Sequence, residues 1–112
     1  SKNYFCIKES NGIKILFVIR KQDSSSVEIF IDNGNYEEDQ KLFEKLFLVR
    51  KEIGKNFENE LAWERLNDSK FRIKHDIPYY FLDISDWEII KEEMISAFSK
   101  FTDSVSPFLK ER

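Results

Sequence analysis

Residues 11–32 read NGIKILFVIRKQDSSSVEIFID, and the fold turns on how this stretch divides. Asn11-Gly12 is the dipeptide that best tolerates the positive φ angles of a two-residue hairpin turn. It sits between two runs, residues 3–9 and 13–21, rich in β-branched and aromatic side chains. A hairpin is expected there. In its second arm Ile13, Ile15, Phe17 and Ile19 alternate with Lys14, Leu16, Val18 and Arg20, so one face is wholly apolar and the other is apolar in the middle, the pattern of a central strand. Residues 22–26 have turn chemistry, and in VEIFID (27–32) Val27, Ile29 and Ile31 again oppose Glu28, Phe30 and Asp32. The whole stretch predicts a three-strand meander.

Downstream the period changes. Asp32-Asn33-Gly34-Asn35 breaks the strand, and Glu37, Glu38 and Asp39 crowd a first turn where negative charge opposes the helix dipole. Leu42, Leu46, Val49, Ile53 and Phe57, widened by Phe43 and Phe47, then give one long helix with a single apolar stripe. Gly54 weakens its last turns by about 1 kcal/mol relative to Ala. Residues 61–66 and 71–75 are short strand-like runs around Asn67, Asp68, Ser69 and Lys70, a second hairpin closed by Pro78. Ser85 and Glu88 have capping-box spacing, with Ile84 and Ile89 placed as a hydrophobic staple. The second helix that follows buries Trp87, Ile90, Met94, Ala97 or Phe98, Phe101 and Val105, and Pro107 marks its end or a bend.

The expected architecture is α+β: a five-stranded, mainly antiparallel sheet in the order β-β-β-α-β-β-α, with two amphipathic helices covering one face. A chain of 112 residues holds one hydrophobic core, so residues 1–112 are expected to form a single domain. The start at Ser1 rather than Met suggests part of a longer protein.

Charge and cysteine usage exclude several function classes. Lys and Arg number 18 against 21 Asp and Glu, a net charge of -3, where a domain gripping nucleic acid by general electrostatics is usually basic. Cys6 is the only cysteine, so neither an internal disulfide nor a multi-thiolate zinc site can form, which fits the reducing cytoplasm. The longest apolar run, Ile15 to Ile19, is far short of the roughly 20 residues a spanning helix needs. The three glycines build neither a phosphate-cradling loop nor a dinucleotide fingerprint, so no cofactor is expected.

Three constellations could carry chemistry. Metal-dependent phosphodiester cleavage needs converging carboxylates, and Glu28, Asp32 and Glu64 are the candidates. The blander reading makes Asp32 a helix cap and leaves Glu28 in solvent. Asp68-Ser69-Lys70 matches the acidic-x-Lys element of restriction-endonuclease-like nucleases only as three letters in a turn. Arg65, Lys70, Arg72 and Lys74, close in sequence to Trp63 and Phe71, could hold phosphates and stack bases. Against this, Trp63 and Phe71 serve equally well as core, with the cations on a solvated strand face balanced by Glu64 and Asp68. The lone His75, on a strand face with Phe71 and Ile73, reads as a structural histidine, and Cys6 as a small hydrophobe rather than a reactive thiolate.

VEIFIDNG (27–34), LFEKLFLVRKEI (42–53), LAWERL (61–66) and FRI (71–73), taken in order, make the chain resemble the domain of unknown function 4268 family over residues 13–109. In that family a strand ending in an acidic residue leads into a helix with an internal arginine. A Trp-Glu strand, an Arg-Ile strand and a final amphipathic helix follow. The resemblance implies a C-terminal module of bacterial and archaeal proteins that in some cases accompanies a nuclease-like domain. It supplies no catalytic residues, and no role passes to Asp32, Arg50, Trp63, Glu64 or Arg72. The expectation is a non-catalytic accessory or interaction domain, its partner another domain of the same polypeptide or nucleic acid. The alternatives are a metal-dependent nuclease and a homodimerisation module.

Overall fold

The computed structural model describes residues 2–10, 12–20, 24–67, 70–77 and 84–109. Strands β1 (Lys2–Ser10), β2 (Ile13–Arg20) and β3 (Ser25–Ile31) form the meander. Ser10 pairs with Ile13, and Gly12 has φ 79°, the left-handed conformation that a two-residue hairpin turn demands. Helix α1 (Tyr36–Leu48) and the short α2 (Arg50–Gly54) follow, then β4 (Ala62–Leu66), β5 (Lys70–Ile77) and α3 (Ile84–Leu109). All pairings are antiparallel and the strand order is β1-β2-β3-β5-β4, so the class is α+β as expected. No helix among the described residues is long and apolar enough to cross a membrane.

The register decides which side chains meet. Ile15, Ile29, Ile73 and Trp63 lie in one row across four strands, and Ile13, Ile31, Phe71 and Arg65 in the next. The odd-numbered face is therefore an apolar floor interrupted by Arg65 on β4 and His75 on β5. On it rest Leu42, Phe43 and Leu46 of α1, Ile53 of α2, and Ile90, Met94, Ala97, Phe101, Val105 and Leu109 of α3. Each fully buried side chain of this kind contributes about 1.5–3 kcal/mol. On the other face, where side chains of the flanking strands such as Arg20 and Arg72 lie over β3, Val18, Ser26 and Glu28 are buried too.

Several local expectations are corrected. The helix predicted to run unbroken to Phe57 is interrupted at Val49 (φ -105°, ψ 23°), whose N–H donates to the Leu46 carbonyl while its own carbonyl accepts from Glu52 and Ile53. The stripe continues across the break because α2 turns to pack on α3. The cap of α1 is Asn35, whose Oδ1 accepts from the Glu38 N–H at 3.1 Å; Asp32 lies outside the helix. Ser25 and Ser26, assigned from sequence to the turn at 22–26, belong to β3. Helix α3 has begun by Ile84, one residue before the Ser85 taken as its cap, and passes through Pro107 to Leu109. Asn11, Gln22, the Asp68-Ser69 part of the acidic-x-Lys triplet, and Pro78 lie outside the described residues.

Candidate functional site

The charged residues singled out from sequence divide between the two faces of the sheet. On the even-numbered face Glu28 is 2% exposed, not solvated as expected, because the Arg20 and Arg72 side chains of the two flanking strands lie against its carboxylate. Its carboxylate accepts from Ser26 Oγ at 2.7 Å, and lies 3.7 Å from Arg20 Nη2 and 3.5 Å from Arg72 Nη1. Arg20 is held in place by donating to the Ser24 carbonyl (2.8 Å) and Ser26 Oγ (3.2 Å). Arg72 Nε donates to Glu64 Oε1 at 2.8 Å. Two guanidiniums and two carboxylates thus alternate across β2, β3, β5 and β4, the arrangement that makes a buried charge tolerable.

Titration follows from these contacts. Burial works against the Arg72 charge, but the hydrogen bond to Glu64 and the fields of Glu28 and Glu64 outweigh it and raise Arg72 above its ordinary value. The hydrogen bond from Arg72 lowers Glu64 below the usual carboxylate value, against a smaller opposing effect of burial. The three carboxylates proposed for a metal do not converge. The Arg72 guanidinium bridges Glu28 and Glu64, while Asp32 faces Lys70 at 3.9 Å. Among the described residues no group of three or more His, Cys, Asp or Glu side chains is placed to hold a metal ion.

The four cations of the second hairpin are likewise separated. Lys70, Arg72 and Lys74 occupy even positions, where Lys70 faces Asp32, Arg72 joins the network and Lys74 lies 3.5 Å from Asp76. Arg65 alone stands on the helix side, over the rings of Phe71 (5.3 Å) and Phe43 (5.5 Å), with Glu44 3.6 Å away. Phe71 is core, whereas Trp63 is only half-buried.

Trp63 belongs to a ladder of rings that runs from core to surface. Tyr36 stacks on Phe71 (5.8 Å), Phe71 on Phe43 (4.8 Å), and Trp63 meets Phe43 (5.9 Å) and Phe47 (5.5 Å) edge-on. Phe47 is 39% exposed and its neighbour Leu48 81%, so the residue counted as widening the core stripe instead reaches the surface. Arg50 lies 4.1 Å above the Phe47 ring, held by donating from Nη1 to the Phe47 carbonyl at 3.0 Å. Phe47 and Leu48 end α1 just before the break at Val49, and Arg50 opens α2 just after it.

Two adjoining clefts flank the Phe47–Trp63 pair. One, of about 580 Å³, lies between α2 and the chain leading into β4, with Arg50, Lys55, Phe57 and Leu61 in its walls. The other, of about 430 Å³, is bounded by Phe43, Glu44 and Arg65. Arg50 and Phe47 were not among the candidates from sequence; the signal available was the run of four consecutive apolar residues, Leu46 to Val49, which spans more of the helix circumference than one stripe can bury.

His75 and Cys6 lie apart from this surface. The His75 ring packs 4.9 Å from Phe57, and its Nδ1 is buried without a hydrogen-bond partner. Burial, with the nearby Lys100 charge, lowers its pKa below 6.5. Cys6 is exposed on β1.

No curated protein and no solved structure matches the chain. The model of a family described as "Domain of unknown function (DUF4268)" matches residues 5–109, beginning within β1 and so earlier than the edge at residue 13 read from the motifs. The match takes in the meander, the ring ladder and the charged network together, and the chain belongs to the DUF4268 family.

Proposed function

We propose that this chain is a non-catalytic interaction domain that serves a larger protein, with the Phe47–Trp63 surface as its contact face. One observation carries the reading: the groups best suited to chemistry are spent on one another, while the aromatic and cationic groups at the β4 edge stand open. Glu28 and Glu64 are occupied by Arg72, so a metal ion would have to displace a guanidinium from a buried, four-membered network. At the clefts, by contrast, half-exposed rings and cations offer the mixture enriched at the centre of protein interfaces.

A role alongside nucleic acid, in a prokaryotic protein with a nuclease-like domain, is supported by the family resemblance and by Arg50 and Arg65 beside Phe47 and Trp63, groups that stack and pair with nucleotides. The test is incubation with labelled single-stranded and duplex DNA and RNA, with and without Mg²⁺ or Mn²⁺, reading anisotropy and strand length together. Intact strands are expected throughout. Cleavage that disappears in Glu64→Gln would overturn the reading in favour of a metal-dependent nuclease. Binding that weakens with salt and is lost in an Arg50→Glu, Arg65→Glu variant would make nucleic acid the partner.

A further inference from the structure

The two outer strands of the sheet differ in how they are guarded. Edge strands expose unpaired backbone groups, and proteins protect them with lysines, prolines or bulges. Strand β1 has Lys2 and Lys8 in its sequence and a register shift between Cys6 and Lys8. Strand β4, Ala62–Leu66, pairs only with β5 among the described residues, in unbroken register, and contains neither lysine nor proline. Of its two charged residues, Glu64 is drawn back across the sheet to Arg72 and Arg65 lies over the Phe43 and Phe71 rings.

The clefts are arranged along this same strand. Leu61 and Trp63 line the larger, Trp63 and Arg65 the smaller. Their walls thus follow alternate residues along β4 and the residue leading into it, Leu61, Trp63 and Arg65, and alternate residues of a strand repeat about every 7 Å on one side. A strand lying beside β4 would send alternate side chains into the two clefts while its backbone paired with the free edge. In such strand addition, main-chain hydrogen bonds supply affinity and the pockets supply specificity.

The electrostatics indicate what that strand carries. Among the described residues, Arg50 forms a cation–π contact and a carbonyl hydrogen bond but no ion pair, and Arg65 has one partner, Glu44, at the long distance of 3.6 Å. Both guanidiniums therefore retain capacity for a carboxylate. From this geometry we infer that the β4 edge takes an extended peptide segment of a partner protein, with two apolar side chains two residues apart in the clefts and an acidic side chain toward Arg50 or Arg65. The inference rests on the interaction-domain reading and adds the chemistry of the partner. A net charge of -3 on the chain opposes a polyanion far more than a peptide with a single acidic side chain.

The experiment selects phage-displayed random heptapeptides on the intact chain, with counter-selection on a Phe47→Ala, Arg50→Glu variant. Both substitutions lie at exposed positions, and circular dichroism checks that the variant folds. Enriched peptides should carry apolar residues two apart and an Asp or Glu, with no internal proline. A synthetic representative should bind the variant at least tenfold more weakly and slow hydrogen exchange at β4 amides. No enrichment over the counter-selection, or binding that leaves β4 exchange unchanged, would overturn strand addition. So would β4 amides already protected in a dimer seen by light scattering, which would assign the edge to a second copy, or oligonucleotides binding in the peptide's place. None of these results involves strand cleavage, the outcome that would instead fail the underlying reading.

Discussion

Replacing Glu28 by Gln tests whether the charged network holds the sheet's second face together. The side chains are nearly isosteric, and the amide oxygen of Gln can still accept from Ser26 Oγ, so packing and one hydrogen bond survive. What disappears is the negative charge facing Arg20 at 3.7 Å and Arg72 at 3.5 Å. Removing one member of a fully buried pair costs about 3–5 kcal/mol. Here Arg72 keeps Glu64 at 2.8 Å, and the two arginine side chains remain 16% and 19% exposed and can recover some hydration, so the expected loss is smaller, about 2 kcal/mol. For a chain of this length that lowers Tm by roughly 8 °C. Thermal and urea unfolding followed by circular dichroism measure it, and a double-mutant cycle with Arg72→Gln should return a coupling of about 1 kcal/mol or more. Because the pair is buried, the coupling should change little between low and physiological salt. A Glu28→Gln variant within about 0.5 kcal/mol of the parent, or a cycle with no coupling, would refute the account and reduce the network to packing.

Gly54→Ala should stabilise by about 0.5–1 kcal/mol, because a Cβ there meets nothing within 4 Å and the residue ends a helix; Gly34→Ala, at φ +89°, should destabilise by about 1 kcal/mol, and urea midpoints separate the two. His75 has a folded pKa below 6.5, so the unfolded chain binds the proton more readily; the stability His75 confers is complete above pH 6.5 and is lost as pH falls from there toward the folded value. His75→Gln should flatten that part of the stability profile, and an unchanged profile would refute the assignment to His75. The lowered carboxylate of Glu64 gives a second, separate loss as pH falls below 4.5, absent in Glu64→Gln. Phe101→Ala, emptying a fully buried site against Phe57, should cost about 3–5 kcal/mol in the same unfolding assay.

The parts of this fold that were legible in the sequence are those set by short-range patterns. The alternations over Ile13–Ile19 and Val27–Ile31 and the stripe of α3 from Ile90 to Val105 each report a local period and lie where expected, with Gly12 in the turn before β2. The break in the first helix was not legible, because Leu42, Leu46, Val49, Ile53 and Phe57 keep a helical spacing through it. The turn of α2 toward α3 is decided by packing, and a hydrophobic stripe constrains which residues are buried, not whether the axis is straight.

The misreading of Glu28 has a related cause and bears directly on function. In an isolated hairpin the polar residues of VEIFID would face water, and alternation alone says no more than that. Strand order, which no local pattern encodes, places β3 between β2 and β5 and brings Arg20 and Arg72 over Glu28 from either side. The same ordering splits the basic hairpin: register puts Arg65 on the helix side and Lys70, Arg72 and Lys74 on the other, so residues adjacent in sequence cannot act as one phosphate-binding patch. It also leaves β4 outermost, beside the outward-turned Phe47 and Arg50. The internal charge network and the open aromatic edge are thus two consequences of one topology. A substitution that loosens the network, such as Glu28→Gln, should therefore lower stability without removing the contact groups, whereas Phe47→Ala should do the reverse.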